Sequence, residues 1–122
     1  MKNLKVFIYC RVMDEKAIDL LDYQEKEITD LLNYLDMKIV GIAKEVSSGK
    51  HFCSYGMQKL IHYITNEKID VIAVYDDTRL AIYDDLRAEF QMICDKYDVD
   101  IIDVSDLTTM IFTNSIFKSC DE

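Results

Sequence analysis

Val6-Phe7-Ile8-Tyr9-Cys10-Arg11-Val12-Met13 (residues 6–13) is an apolar run that breaks into the polar Asp14-Glu15-Lys16. Its length and its β-branched and aromatic content match a strand buried on both faces of a parallel sheet. Side chains alternate along a strand, so Tyr9, Arg11 and Met13 share one side, and Cys10 and Val12 share the other. Arg11 at the exit of such a strand requires partners, because an unpaired buried guanidinium is costly. In open α/β sheets the ligand site lies at the carboxyl ends of the strands, which is where Arg11 falls.

Downstream, helical and strand periods alternate. Ala17, Leu21, Ile28, Leu31, Leu32 and Leu35 predict an amphipathic helix over residues 14–36. Residues 38–46 predict a second strand, running into the polar turn Ser47-Ser48-Gly49-Lys50. Met57, Leu60, Ile61 and Ile64 mark a second helix ending near Asn66, with His62 expected to be partly buried on it. The clearest strand covers residues 69–75 and stops at Asp76-Asp77. Leu86, Phe90, Ile93 and Tyr97 give a third helix, and residues 99–104 a fourth strand. The pattern βαβαβαβ predicts a three-layer α/β domain, with a mostly parallel sheet of four to five strands and helices on both faces. Residues 105–122 fit a helix through Leu107, Met110 and Ile111, or a short strand through residues 110–113.

Composition narrows the function classes. With 122 residues, half of them hydrophobic, the chain is expected to form one domain and not a disordered segment. No apolar run is long enough to span a membrane, and no signal peptide is legible, so the expectation is a cytoplasmic protein without a membrane partner. Cys10, Cys53, Cys94 and Cys120 are widely spaced and read as reduced thiols; neither a metal nor a cofactor is expected. A net charge of -9 repels phosphate backbones, so independent DNA binding is expected to be weak or absent.

Three polar clusters fall at strand ends: Tyr9/Arg11/Met13, Glu45/Ser47/Ser48/Gly49 and Asp76/Asp77/Thr78/Arg79. YCRVM, then a helix containing Gln24, then EVSSG, then IDVIAVYDDTRLAI together resemble the catalytic domain of the serine recombinases, the resolvases and DNA invertases. That family's first strand reads Y-x-R-V-S, its second loop D/E-x-x-S-G, and its third strand ends in D/S/T-R-L-x-R. The resemblance covers roughly residues 4–107. It implies the resolvase fold, and it matches Arg11 to an arginine that contacts the scissile phosphate, with Tyr9 as its strand neighbour. Glu45 and Ser48 match the polar residues of the second loop, and Thr78 and Arg79 the start of the paired-arginine motif. In the family a serine hydroxyl attacks the DNA phosphate, and clustered guanidiniums stabilise the developing charge.

This chain departs from that pattern at the chemistry itself. The nucleophile position holds Met13, whose thioether has no proton to give up and forms no stable phosphodiester. The second arginine of R-L-x-R is Ile82, and Asp77 adds negative charge beside the expected phosphate position. Arg11 then reads equally as one half of an ion pair with Asp76 or Glu45. A single domain over residues 1–122 is expected, without the dimerisation helix and helix-turn-helix domain that follow in the family. The reading leans away from an enzyme, toward an interaction or regulatory domain that pairs with a second copy or with an intact serine recombinase. Two alternatives stand beside it. One is strand transfer by another nucleophile, with Cys10, Ser47 or Ser48 as the candidates. The other is a receiver-like metal or phosphate sensor built on Asp14, Glu15, Asp76 and Asp77.

Overall fold

The computed structural model describes residues 3–106. β1 (Lys5–Val12) lies inside a four-stranded sheet of order β2-β1-β3-β4, flanked by β2 (Lys38–Val46) and β3 (Val71–Val74), with β4 (Asp100–Asp103) beyond β3. Every pairing is parallel. A strand hydrogen-bonded on both edges and covered on both faces has no solvent side, which is why β1 reads as a continuous apolar run. From Val6 to Val12 every residue of it is buried.

Alternation along β1 divides the core in two. Val6, Ile8, Cys10 and Val12 pack with Leu21, Ile28 and Leu32 of α1 (Asp19–Tyr34). Phe7 and Tyr9 face the other layer, formed by α2 (Tyr55–Thr65) and α3 (Asp84–Lys96) through Met57, Leu60, Ile64, Phe90 and Cys94. Helices therefore cover both faces, as right-handed crossovers require for this strand order.

Several boundaries and the burial of one residue differ from the sequence reading. The first helix begins at Asp19 rather than Asp14, because the Asp14 carboxylate accepts from the Lys16 N–H (2.9 Å) and caps a separate 3-10 turn, Glu15–Ala17. β3 and β4 are shorter than the runs predicting them, their outer residues serving as connections. His62 is exposed, since the buried stripe of α2 runs through Met57, Leu60 and Ile64 and leaves position 62 on the outer side. The two readings of residues 105–122 fall, from Leu107 onward, outside the described residues.

α1, α2 and α3 each hand over to the next strand through a non-glycine residue in the left-handed region: Asp36 (φ 57), Glu67 (φ 56) and Asp98 (φ 58). This conformation costs an L-residue roughly 1–2 kcal/mol, and glycine adopts it freely. Glu67→Gly is expected to stabilise the domain by about 1 kcal/mol, read as a higher urea midpoint with an unchanged slope.

Burial also sets an alkaline limit. It pushes the Cys10 and Cys94 thiols from 9.0 up to about 12, with the charges of Glu25 and Asp95 adding to the effect. The folded state thus holds protons that the unfolded state releases above pH 9. Stability from this source is complete below pH 9 and falls as pH rises toward 12, by up to about 1.4 kcal/mol per pH unit for each thiol. A melting-temperature series from pH 7 to 11 checks the sign, and Cys10→Ala/Cys94→Ala should flatten the decline.

Candidate functional site

The carboxyl ends of β1, β2 and β3 converge, and Arg11 sits where they meet. Only 2% exposed, it is among the largest fully buried side chains. Its backbone is gripped from α1: the Gln24 side-chain carbonyl accepts from the Arg11 N–H (3.2 Å), and the Gln24 amide donates to the Arg11 carbonyl (3.0 Å). Gln24 is itself buried, a polar member of the stripe Leu21-Gln24-Ile28-Leu32.

The guanidinium donates to three backbone carbonyls: Nε to Arg79 (2.8 Å), Nη1 to Ser47 (2.8 Å) and Nη2 to Thr78 (2.7 Å). This corrects the expectation of an ion pair with Asp76 or Glu45. Carbonyl oxygens at the mouth of the sheet satisfy the fork directly, and the carboxylates are held elsewhere. Burial lowers the Arg11 pKa below its ordinary value, with the charge of Arg79 adding to this and Tyr9, Asp76 and Glu45 opposing it. The group stays charged, as arginine does in proteins.

Gly49 (φ +71) lies across the face of this guanidinium: a Cβ built there would come within 2.6 Å of Arg11 Cζ. The Ile82 N–H donates to the Gly49 carbonyl (3.0 Å), tying the loop after β2 to the loop after β3. Arg79 approaches from the 3-10 turn Asp77–Arg79, its Nη1 donating to the Arg11 carbonyl (3.2 Å). Its Nε is 3.5 Å from Asp76 Oδ2, within ion-pair range but without hydrogen-bond alignment.

A second constellation adjoins the first. The Glu45 carboxylate accepts from the Tyr9 hydroxyl (2.5 Å), the Ser54 hydroxyl (2.7 Å) and the Gly56 N–H (2.8 Å). It sits at the start of α2, where unpaired N–H groups favour negative charge. Gly56 permits the approach, since a Cβ there would lie 2.6 Å from the Glu45 carboxyl carbon. Desolvation, the hydrogen bond to Glu45 and its negative charge raise the Tyr9 pKa well above the usual phenol range, so Tyr9 is a neutral donor. A cleft of about 260 Å³ lined by Ile42, Glu45, Tyr55, Gly56, Lys59 and neighbours opens beside this carboxylate on the β2 edge.

The structure thus joins Tyr9 to Glu45, and Arg11 to the backbones of Ser47, Thr78 and Arg79. It does not bring the remaining side chains onto Arg11. The Ser48 hydroxyl accepts from the Lys50 N–H (3.2 Å) within its own turn, and the Thr78 hydroxyl donates to Asp76. Met13 is 57% exposed at the rim, just beyond the end of β1. Cys10 lies in the opposite layer, packed toward α1. The Asp77 carboxylate pairs with Arg87 (3.9 Å), and its N–H donates to Asp103. Asp14 and Asp76, candidates for a receiver-like metal site, cap the two 3-10 turns, and no cluster of three potential metal ligands occurs among the described residues.

Gln24, Gly49, Ser54 and Gly56 complete the site without having been singled out for these contacts. Gln24 and Gly49 had a signal in the sequence, as members of the family-like pattern, and Gly49 also as turn chemistry; Ser54 and Gly56 had none.

A four-stranded parallel sheet covered by helices on both faces, with Arg11, Arg79 and Gly49 gathered at its strand ends, defines an α/β domain whose polar site lies at the carboxyl ends of the strands. Residues 6–117 match the family model "Resolvase, N terminal domain", and the chain belongs to that family of serine recombinases. Solved structures of similar fold include the C-terminal catalytic domain of ISC1926 TnpA, an IS607-like serine recombinase. It matches at 22% identity and a TM-score of 0.79, over 93% of this chain and 78% of that one. The N-terminal catalytic domain of TP901-1 integrase matches at 22% identity and 0.73, over 97% and 99%. A resolvase family site-specific recombinase from Streptococcus pneumoniae matches at 19% identity and 0.72, over 98% and 89%.

Proposed function

We propose that this domain has lost DNA strand cleavage and acts as an interaction or regulatory member of its family. The observation carrying this reading is Met13, where the family pattern calls for the attacking serine. A thioether supplies neither the proton nor the stable phosphodiester that the covalent step needs. Ile82 replaces the second arginine, and loss of one such preorganised donor typically costs about 3 kcal/mol of transition-state stabilisation. A relocated nucleophile finds little support, since the Cys10 thiol is buried and pushed up to about 12. Ser48 is engaged in its own turn, and the nearby His51 Nδ1 accepts from the Cys53 N–H (3.2 Å).

Exposed apolar side chains on and beside α1 favour a protein partner. Ile18, Leu20, Tyr23 and Tyr34 all present large apolar surface to solvent. A second copy of this chain or an intact serine recombinase, met in the cytoplasm, fits that surface and the family fold. Arg11, Ser48 and Arg79 are then remnants of the catalytic set, and Tyr9, Glu45 and Thr78 remnants of its supporting shell. The test is a recombination assay of an intact serine recombinase titrated with this chain. A mixed complex on native mass spectra, with a changed recombination rate, is expected. Strand cleavage by this chain alone would overturn the reading.

A further inference from the structure

We infer that Arg11 is a clasp that locks the loops after β2 and β3 together, and that it does not serve as an anion ligand. Phosphate recognition by arginine uses two parallel N–H groups on one edge of the fork. Here Nε, Nη1 and Nη2 each already donate to a carbonyl at 2.7–2.8 Å, three of the five N–H groups of the fork, and the whole side chain is only 2% exposed. The acceptors come from two loops: Ser47 follows β2, and Thr78 and Arg79 form the turn after β3. Gly49 closes one face of the plane, and the Ile82-to-Gly49 hydrogen bond adds a direct tie between the same loops. A phosphate could reach this buried guanidinium only if the loops around it opened, which would also strain the three carbonyl contacts. The clasp is independent of which residue occupies position 13, so its test is separate from that of catalysis.

The Ile82 amide is the reporter, because it donates across the two loops. Arg11→Lys keeps the charge but replaces a planar fork with a single ammonium. In this variant the Ile82 amide is expected to exchange about tenfold faster relative to the Ile8 amide in the core strand, the signature of local opening. Gly49→Ala leaves Arg11 in place but puts a methyl against its pinned guanidinium. It carries the same expectation and serves if Arg11→Lys does not fold. Equal acceleration of Ile82 and Ile8 in Gly49→Ala, or no acceleration in either variant, would overturn the clasp. Sulfate is the anion probe: it should raise the melting temperature of the natural chain no more than that of Gly49→Ala. Sulfate stabilisation that is strong in the natural chain and lost in Arg11→Lys would instead make Arg11 an anion ligand.

Discussion

Arg11→Met is expected to lower stability by about 3 kcal/mol, with a lower urea midpoint and an unchanged slope. Methionine keeps much of the apolar stem and its packing while removing every donor. The carbonyls of Ser47, Thr78 and Arg79 then lose the partner that each has at 2.7–2.8 Å. Each orphaned buried acceptor costs roughly 1–3 kcal/mol, less where loosened loops let water in. Part of the loss is offset because a guanidinium no longer has to be desolvated. A measured loss below about 1 kcal/mol would mean that the loops are held by other contacts, chiefly the Ile82–Gly49 bond.

Glu45→Leu is expected to have a comparable effect, again about 3 kcal/mol, by a different route. One carboxylate serves three donors: the Tyr9 hydroxyl, the Ser54 hydroxyl and the Gly56 N–H. Leucine fills similar space and accepts from none of them. The diagnostic is the second mutation. Tyr9→Phe alone should destabilise by about 1 kcal/mol, whereas in the Glu45→Leu background it should be neutral or stabilising, since it removes a buried hydroxyl already without a partner. Additive losses would show that Tyr9 and Glu45 do not act as a pair.

Much of the fold was legible because burial is written in apolar periodicity. β1 sits between two strands, so its run from Val6 to Val12, apolar and β-branched or aromatic for the most part apart from Arg11, reads as a strand buried on both faces. The stripes of α1 and α2 repeat at helical spacing and meet the predicted faces. The start of α1 was misread because an acidic residue beside a helix caps equally well a 3-10 turn, which is the use made of Asp14. His62 was misplaced through its apolar neighbours, although helix geometry turns it away from them.

At the site the sequence identified which residues gather, but not how they bond. Arg11 was legible as an arginine needing partners. Those partners are main-chain carbonyls, which every residue has and no side chain announces. The natural guess from charge was Asp76 or Glu45. Glu45 instead lies at the α2 N-terminus among neutral donors, and Asp76 caps its own turn. Gly49 read as turn chemistry; its other role, flat against the guanidinium, appears only in three dimensions.

The most direct test of lost catalysis is a covalent trapping experiment. The purified chain is incubated with supercoiled DNA carrying the site of an intact serine recombinase, quenched with detergent, and examined for DNA-linked protein by gel and mass spectrometry. No protein–DNA adduct is predicted at any protein concentration, under conditions where the intact recombinase gives one. An adduct mapped to Ser48, or to any other residue of this chain, would contradict the account and identify the nucleophile that replaced the serine at position 13.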